Sequence, residues 1–361
     1  MPDISADRPP GAGPTATATT QLAPHTTLRM GGPARQLLTG TDTDEIMQSV
    51  RAARATGEPA LVLGGGSNVV VADEGFPGTV ILVRSRGIRV VDTEGGVVTV
   101  RVEAGAGWDE VVATAVAEGW SGLECLSGIP GSAGATPMQN VGAYGQEVAQ
   151  TITAVRVLDR VTDRAVTMRH DGCGFGYRTS VFRRSDRWVV LSADFRLRRS
   201  RESTPVRYAE LARVLGVPVG GRAPLAEVRE AVLALRAGKG MVLDPADPDT
   251  YSVGSFFTNP VLGTAAWESL RARTAVPVPS WPDGDGRTKV SAAWLIEQAG
   301  YRKGYGGPDV AISSKHSLAL TNRGTGTTGA LLRLAREIRD GVRARFGVTL
   351  HPEPILIGCA L

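Results

Sequence analysis

The chain has 361 residues, of which 42% are hydrophobic and 21% are charged. This length and composition suffice for two or three domains with buried cores, and they exclude a wholly disordered chain. Forty Lys and Arg residues oppose 36 Asp and Glu residues, and the net charge of +4 is scattered rather than gathered into a basic surface. The sequence therefore favours small anionic ligands over nucleic acid as partners.

The three cysteines, Cys125, Cys173 and Cys359, form no CxxC pair, and the four histidines are far apart. Neither a disulfide framework nor a metal site is predicted, and a reducing cytoplasmic location fits this composition. The N-terminus lacks the basic and apolar regions of a secretory signal. No segment has the composition of a membrane helix, so we expect no membrane insertion.

Residues 1–21 are rich in Pro, Ala, Thr and Gly and are predicted to be a disordered tail. The first helix is predicted to begin at Asp42, with Glu45 as its capping-box partner, and to end at Gly57. Three predicted strands follow at 60–63, 69–72 and 79–83. Residues 22–87 are thus predicted to form a small α/β unit.

The next stretch alternates strand and helix patterns less regularly and predicts an α+β unit. Its strands are expected at 97–102, 152–158 and 188–197, and its helix at 108–118. The Pro-rich segment that begins at Asp244 marks a boundary.

Residues 250–347 carry three helix patterns with short strands between them. In the last helix, Leu331, Leu334, Ile338 and Val342 recur three and four residues apart, and Gly347 is predicted to end it.

A glycine-rich loop follows the first predicted strand and consists of Gly64, Gly65, Gly66, Ser67 and Asn68. Consecutive backbone amides in such a loop can bind phosphate. The Rossmann fingerprint is absent, because Val69 stands where its third glycine belongs. From these residues alone, an ordinary hairpin turn remains an equal alternative.

A second glycine-rich segment, residues 125–146, carries no charge. Its small residues, hydroxyls and amides suit close main-chain contact with a large, polar, partly aromatic cofactor. A structural Ω-loop is the alternative. Two such loops in different units favour a dinucleotide held between them.

Three further segments carry candidate reactive groups. Arg178 lies among aromatic residues, where a guanidinium can bind a carboxylate, although a surface ion pair is the commoner use. Ser255 lies between Gly254 and two phenylalanines, and a buried serine bonded to backbone is its alternative interpretation. Glu353 is held between two prolines near the C-terminus.

Seven ordered segments together resemble the UDP-N-acetylenolpyruvoylglucosamine reductase family. They are LVLGGGSNVVV, GLECLSGIPGSAGATPMQNVGAYG, GYRTSVFR, SVGSFFTNPV, AAWLIEQAGYRKG, SSKHSLALTN and HPEPILIG. The match extends from about residue 22 to residue 358. The resemblance implies an oxidoreductase with FAD as cofactor and NADPH as co-substrate, which converts UDP-N-acetylenolpyruvoylglucosamine to UDP-N-acetylmuramate for peptidoglycan synthesis.

The resemblance also implies an α+β architecture. A vanillyl-alcohol-oxidase/PCMH-like FAD-binding domain of two lobes precedes a C-terminal α+β substrate-binding domain. Lobe 1 would comprise residues 22–87, completed by a C-terminal strand at 348–361, and lobe 2 would comprise residues 88–243. The substrate-binding domain would comprise residues 244–347, and we expect a monomer.

Noncovalent FAD is implied to bind along both glycine-rich segments. The matching positions are Gly64, Gly65, Gly66, Ser67, Asn68, Ser127, Gly128, Ile129, Pro130, Gly131, Gly134, Ala135, Thr136, Gln139, Asn140, Gly142, Ala143, Tyr144 and Gly145. The implied reaction passes hydride from the flavin N5 to C3 of the enolpyruvyl group. Ser255 matches the acid that protonates C2, while Arg178 and Glu353 match the pair that polarises the substrate carboxylate and stabilises the enol-like intermediate.

The implied substrate contacts are Tyr177, Tyr208, Lys239, Asn259, Lys303 and His316. Tyr208 matches a substrate-covering tyrosine found in only one of two family subtypes, the tyrosine-loop type. Lys239 matches a lysine near the substrate diphosphate, and Asn259 matches a uridine-side contact.

Two departures from the family pattern stand out. The segment 240–253 is longer than in some relatives, and His351 stands where an acidic residue is common.

Two other functions remain to be weighed against this one. A sugar-oxidising flavoprotein of the same fold would often tether its flavin through His or Cys, and neither glycine-rich loop contains a histidine. A non-catalytic nucleotide-sugar sensor would not need Arg178, Ser255 and Glu353 together.

Overall fold

A computed structural model describes residues 15–16 and 20–361 of the chain. Its α-helices are α1 (Thr43–Ala55), α2 (Trp108–Ala117), α3 (Ala209–Leu215), α4 (Leu225–Ala237), α5 (Thr264–Ala272), α6 (Ala292–Gln298) and α7 (Thr328–Phe346). Its strands are β1 (Thr15–Ala16), β2 (Ala34–Gly40), β3 (Ala60–Leu63), β4 (Val69–Val71), β5 (Phe76–Val83), β6 (Ile88–Glu94), β7 (Val97–Glu103), β8 (Trp120–Ser121), β9 (Gly142–Ala143), β10 (Gln146–Glu147), β11 (Ile152–Asp159), β12 (Arg164–Arg169), β13 (Trp188–Arg199), β14 (Val261–Leu262), β15 (Ser280–Pro282), β16 (Thr288–Val290), β17 (Val310–Ile312), β18 (Leu320–Asn322) and β19 (Ile355–Ile357).

The prediction of a disordered tail over residues 1–21 is wrong in part. Thr15–Ala16 forms a strand antiparallel to β2, and Gln21 makes a β-bridge with Pro33. Backbone hydrogen bonds therefore hold these positions against the first sheet, despite their polar composition. The rest of the predicted tail, up to residue 19, lies outside the described residues.

The first sheet has the strand order β1-β2-β5-β3, and β5 pairs in parallel with both β2 and β3. Helix α1 packs against this sheet, and the Asp42 side chain caps it by accepting from the Glu45 amide at 2.8 Å. The Glu45 carboxylate accepts from the Thr41 amide at 2.9 Å and from the Thr41 hydroxyl at 2.7 Å, one residue before the helix cap.

Strand β4 does not pair with β3, so the hairpin alternative for the Gly64–Asn68 loop is wrong. Instead, β4 lies parallel to the C-terminal strand β19, with Val69 opposite Ile355. The loop therefore connects two different sheets. The carboxyl end of the chain lies beside the loop as a result, and the Ile355 amide donates to the Asn68 carbonyl at 3.0 Å.

The second sheet is antiparallel, with the order β12-β11-β13-β7-β6 and with β8 on β13. A continuous apolar core joins its inner face to α2, and also to α1 and β5 of the first sheet. The edge strands β6 and β12 were not predicted from the sequence. Most of their residues are exposed, so they lack the alternation of a half-buried strand.

The C-terminal region has its own core around α7, which also takes in Leu28 and Met30 from the N-terminal region. Helices α5, α6 and α7 confirm the three predicted helix patterns. Gly347 ends α7 as expected, with the left-handed φ of +72° that glycine adopts without strain. Among the described residues, no helix has the length and apolar character needed to span a membrane.

Helices α3 and α4 were not predicted, and they pack on one another over a separate small core. The buried Glu124 joins this region to the second glycine-rich segment. Its carboxylate accepts from the Gly122 amide at 2.6 Å, the Thr204 amide at 2.7 Å and the Gln146 side chain at 3.0 Å. Through Glu124, both the start and the end of the second glycine-rich segment are hydrogen-bonded to Thr204, which lies between β13 and α3.

We expect Glu124→Ala to lower the free energy of unfolding by about 3 kcal/mol, because it leaves several buried donors without an acceptor. Urea denaturation followed by intrinsic fluorescence measures this loss. Glu118→Ala is the control, since Glu118 is exposed at the end of α2, and a change within about 0.5 kcal/mol is expected there. Equal losses in the two variants would contradict a structural role for the Glu124 network.

Candidate active site

A cavity of about 400 Å³ lies where the two glycine-rich segments, the C-terminal strand and the Ser255 segment meet. Its wall includes twelve of the predicted cofactor positions. These are Gly64, Gly65, Gly66, Ser67, Asn68, Ile129, Pro130, Gly131, Ala135, Thr136, Gln139 and Gly142. All three predicted catalytic residues border the same cavity, namely Arg178, Ser255 and Glu353.

The loop Gly64–Asn68 presents unused backbone donors to this cavity. Among the described residues, nothing accepts a hydrogen bond from the five amides of this loop, whereas its Gly64, Gly66 and Asn68 carbonyls are all bonded. A row of free amides at a cavity wall is the arrangement that binds phosphate oxygens. The loop therefore fits the pyrophosphate of a dinucleotide.

Glycine is required in this loop because the two glycine-rich segments touch. A Cβ atom on Gly65 would lie 2.5 Å from the Cα atom of Gly131, and one on Gly66 would lie 2.0 Å from the His25 carbonyl oxygen. Gly66 also has a φ of +63°, which disfavours any larger residue. The glycines thus serve the packing of the chain against itself as well as access to a ligand.

The structure places the other seven predicted cofactor positions away from the cavity wall. They are Ser127, Gly128, Gly134, Asn140, Ala143, Tyr144 and Gly145. The Ser127 hydroxyl donates to the Glu124 carbonyl, and the Gly128 amide donates to Asp109 at 2.6 Å. The Asn140 side chain donates to Glu147 at 2.9 Å and to the Gly176 carbonyl. These polar groups hold the segment in shape.

Arg178 occupies the second central position of a tight turn that Gly176 and Thr179 close by exchanging backbone hydrogen bonds. Its φ of +52° is left-handed, which is unusual for a residue with a side chain. The guanidinium donates to the Gly142 carbonyl at 2.7 Å and to the Asn140 carbonyl at 3.3 Å. These bonds aim the cation at the cavity.

Glu353 is the nearer of two acidic neighbours of Arg178, with 3.5 Å between Nε of the arginine and Oε1 of the carboxyl group, while Glu147 lies at 4.0 Å. Both distances are too long for a strong hydrogen bond. Burial raises the pKa of Glu353 above its ordinary value, although the nearby Arg178 and Arg183 oppose that rise. The carboxyl group is therefore biased toward its protonated form.

Ser255 lies in an extended segment between two neighbours. It makes a β-bridge with Ala319, while the next residue but one, Phe257, makes a β-bridge with Pro352. Ser255 is half-buried, and no described residue forms a hydrogen bond with its hydroxyl. The alternative of a buried serine bonded to backbone is therefore wrong.

A group of polar and aromatic residues surrounds the predicted diphosphate lysine. Lys239 donates to Glu210 at 2.7 Å, and this hydrogen bond raises the pKa of Lys239 although burial opposes it. Its ammonium lies 5.8 Å from the centre of the Tyr144 ring. Tyr208 packs edge-on against Tyr144, with 5.3 Å between ring centres, and remains 43% exposed.

The predicted His316 and Lys303 belong to the same neighbourhood. Burial lowers the pKa of His316 to about 4, and the positive charges of Lys239, Lys303 and Arg236 add to this effect. The imidazole is therefore neutral at pH 7 and can both donate and accept a hydrogen bond.

Tyr177, which precedes Arg178 in the chain, forms a hydrogen bond with Asn259 through their side chains. Asn259 also accepts from the Ala292 amide at 2.9 Å. The Lys289 ammonium lies 3.7 Å from the centre of the Tyr177 ring, so this part of the site also carries a cation.

Sequence reasoning missed Lys289, Glu210 and Arg236. Arg236 borders the cavity, and its Nε nitrogen is buried without a partner among residues 20–361. The three residues lie in segments with no glycine cluster or paired aromatic residues, so no local pattern marked them. The resemblance could have drawn attention to Arg236, since it lies three residues before Lys239.

The two departures from the family pattern lie outside the cavity wall apart from Met241 and Val253. His351 is exposed, and its carbonyl accepts from the Thr258 amide at 3.1 Å. In the segment 240–253, Asp249 binds Ser314, and Asp247 pairs with Lys315 at 2.6 Å. Within the described residues, no group of three or more His, Cys, Asp or Glu side chains is arranged to hold a metal ion.

Comparison with known proteins gives consistent matches along the chain. Residues 34–168 match the model of an FAD binding domain, and residues 245–357 match the model of the C-terminal domain of UDP-N-acetylenolpyruvoylglucosamine reductase. These matches, together with the strands and helices described above, confirm the predicted fold class.

Relatives that carry the name UDP-N-acetylenolpyruvoylglucosamine reductase match over almost their whole length. The protein from Salinispora arenicola is 65% identical over 94% of this chain and 95% of its own. The protein from Thermobifida fusca is 57% identical over 94% of this chain and 97% of its own.

A solved structure adds evidence at the level of the fold. The crystal structure of UDP-N-acetylenolpyruvylglucosamine reductase from Thermus caldophilus is 26% identical and superimposes with a TM-score of 0.65, covering 95% of this chain and 99% of that one. Because these relatives are 65% and 57% identical over nearly their whole length, the chain belongs to the UDP-N-acetylenolpyruvoylglucosamine reductase family.

Proposed function

We propose that this protein reduces UDP-N-acetylenolpyruvoylglucosamine to UDP-N-acetylmuramate, with FAD as cofactor and NADPH as co-substrate. The observation that carries the proposal is the shared cavity, which joins five free loop amides to Arg178, Ser255 and Glu353. Family membership supplies the reaction. The alternative is a sugar oxidase that attaches its flavin covalently through His or Cys. The described part of the cavity wall contains neither residue type and so gives this alternative no support.

The cavity suits FAD held without a covalent bond. The Gly64–Asn68 amides would hold the pyrophosphate, and the wall from Ile129 to Gly142 would lie along the rest of the cofactor. When bound, FAD supplies hydride transfer from NADPH to the substrate. The wall also carries four arginines, Arg160, Arg178, Arg184 and Arg236, against the two carboxyl groups of Asp186 and Glu353. This excess of positive charge favours anionic ligands.

Ser255 would deliver the proton to C2 of the enolpyruvyl group. A serine hydroxyl is a weak acid, so proton transfer needs water excluded and the developing negative charge stabilised nearby. The Ser255 hydroxyl has no competing acceptor among the described residues, and Phe256 beside it is fully buried. The hydroxyl is thus available to a ligand in the cavity.

Arg178 and Glu353 would together stabilise the negative charge that develops on the substrate carboxylate. Arg178 supplies a permanent positive charge, held by carbonyls of the second glycine-rich segment. A protonated Glu353 would donate a hydrogen bond to the same carboxylate, whereas an ionised one would repel it. Burial, which favours the protonated form, therefore suits Glu353 to this role.

The remaining predicted contacts would hold the nucleotide part of the substrate. Lys239 would pair with the diphosphate, with Lys303 and His316 beside it, while Tyr177 and Asn259 would lie toward the uridine. Tyr208, at the start of α3, would cover the bound substrate, as in the tyrosine-loop subtype. Its exposure and its contact with Tyr144 are compatible with a mobile cover.

We propose that lobe 1 (22–87 with 348–361) and lobe 2 (88–243) bind FAD, and that residues 244–347 bind the substrate. The parallel pairing of β4 with β19 and the separate core around α7 support this division. The NADPH requirement and the three free thiols favour the cytoplasm. A monomer stays a prediction.

We expect Ser255→Ala to fold, bind FAD and accept hydride from NADPH at a near-normal rate, because that half-reaction needs no proton at C2. Reoxidation by the enolpyruvyl substrate should slow by about 10²- to 10⁴-fold. Ser255→Cys, which keeps an ionisable proton, should recover part of the rate. Anaerobic stopped-flow absorbance of the flavin resolves both half-reactions.

Thr258→Ala is the matched control, because Thr258 lies in the same segment but away from the cavity wall, and its amide and hydroxyl both donate to the His351 carbonyl. It should behave as the parent does. An alanine variant at Ser255 that reoxidises at the parental rate would remove this serine from the mechanism, and one that loses FAD would show that the serine is structural.

We expect substrate-linked reoxidation to slow as the pH rises through the elevated pKa of Glu353, because deprotonation removes a donor and adds a repelling charge. The side chain in Glu353→Gln is permanently neutral, so this variant should lose the fall in rate at high pH, which we call the alkaline limb. It should also reach a lower plateau, since an amide is a weaker donor than a carboxylic acid. Reoxidation rates measured over the whole pH range in which the protein stays folded and keeps FAD test this, and an unchanged limb in Glu353→Gln would assign the titration to another group.

We expect Tyr208→Ala to raise the KM for the enolpyruvyl substrate about tenfold, which is the order of one aromatic contact. Tyr208→Phe should change it little, because the ring and not the hydroxyl provides the cover. Reduction of FAD by NADPH should change less than the substrate KM. Steady-state kinetics decides the matter, and an unaltered KM in Tyr208→Ala would exclude both the cover and the subtype.

A further inference from the structure

Arg183 bridges the two residues that the proposed mechanism places on the substrate carboxylate. Its Nη1 donates to the Arg178 carbonyl at 2.6 Å, and its Nη2 donates to the Glu353 carbonyl at 3.0 Å. The two acceptors are far apart in sequence and belong to different parts of the fold. Arg183 does not border the cavity itself.

Stability alone does not explain an arginine here. The Nε nitrogen of Arg183 is buried and has no partner among residues 20–361, and a buried donor without an acceptor destabilises the folded protein. Burial and the neighbouring Arg184 and Arg178 lower the pKa of Arg183, so its charge is also held against an opposing environment. Residues that retain such costs are commonly those that organise a site.

We propose that Arg183 is a positioning residue that holds Arg178 and Glu353 in register across the cavity and biases the charge of Glu353. The inference rests on the proposed roles of those two residues. The hydrogen bonds to the two carbonyls position Arg178 and Glu353, and the positive charge of the guanidinium lowers the pKa of Glu353.

The positioning argument follows from the backbone of Arg178. Its left-handed φ of +52° is unfavourable for a residue with a side chain, so the turn must be held by its surroundings. Its guanidinium is bonded on one side to the second glycine-rich segment, and its carbonyl is bonded on the other side to Arg183. Arg183 therefore completes the restraint of the turn and ties it to the Glu353 backbone.

The charge argument concerns the groups that face the Glu353 carboxyl. These are the guanidinium groups of Arg178 and Arg183 and the phenol of Tyr177. Both cations lower the pKa of Glu353 against the effect of burial. Removing the charge of Arg183 should therefore raise that pKa further and move the alkaline limb of reoxidation to higher pH.

Two variants separate positioning from charge. Arg183→Met removes both, so reoxidation by substrate should slow by about 10- to 100-fold, as for a modest misalignment, and the alkaline limb should move upward. Arg183→Lys keeps the charge but offers one ammonium in place of a fork, so the limb should stay in place and the rate should recover in part. FAD reduction by NADPH should stay within about twofold in both variants. For each variant, the measurements are the stopped-flow rates of both half-reactions as a function of pH, the FAD content and the temperature of thermal unfolding.

Arg164→Met is the matched control, because Arg164 is exposed on the edge strand β12 of the same lobe. It should alter neither rate nor limb. An Arg183→Met variant with parental rate and limb would overturn the inference, and so would equal slowing of both half-reactions with loss of FAD, which marks a merely structural role. A parental rate and pH profile in Glu353→Gln would instead contradict the proposed function, while a slowed Glu353→Gln beside an unaltered Arg183→Met would contradict this inference alone.

Discussion

The parallel pairing of β4 with β19 is the constraint on which the site depends. The loop Gly64–Asn68 immediately precedes β4, and Glu353 lies two residues before β19. Because parallel neighbours run in the same direction, the segments that enter them arrive at the same end of the pair. One short stretch of backbone hydrogen bonds thus places a phosphate-binding loop and the proposed catalytic carboxyl group on a single cavity wall. Ser255 is brought to the same cavity because its segment bridges Ala319 on one side and Pro352, the residue just before Glu353, on the other.

The charged side chains around the cavity carry an excess of positive charge. Arg236 borders the cavity and leaves a buried donor unused, and His316 is kept neutral by burial and by the cations around it. Uncompensated positive charge is costly in a folded protein unless a ligand supplies the missing negative charge. A dinucleotide, a nucleoside diphosphate sugar and an enolpyruvyl carboxylate all supply it. Binding an anionic ligand therefore offsets the free-energy cost of the uncompensated positive charge in the free protein.

The second glycine-rich segment shows how a loop without charge can be rigid. Its side chains and amides are largely bonded to the protein itself, through Glu124, Asp109 and Glu147. The segment in turn supplies the carbonyls that aim Arg178. Its contribution to the site is therefore a fixed wall and a fixed cation.

The sequence by itself determined the long periodic elements, the two glycine-rich segments and, through an ordered set of motifs, the family and its candidate residues. Those features are local, because helix periodicity, caps and turn glycines depend on residues close together in the chain. It missed the exposed edge strands β6 and β12, which have no buried face to pattern their residues. Only the tertiary structure decided that β4 pairs with β19, that no described residue bonds the Ser255 hydroxyl, and that Arg183 joins Arg178 to Glu353. Each of these facts depends on contacts between residues far apart in sequence, where the packing of the whole chain and not the local pattern sets the partner.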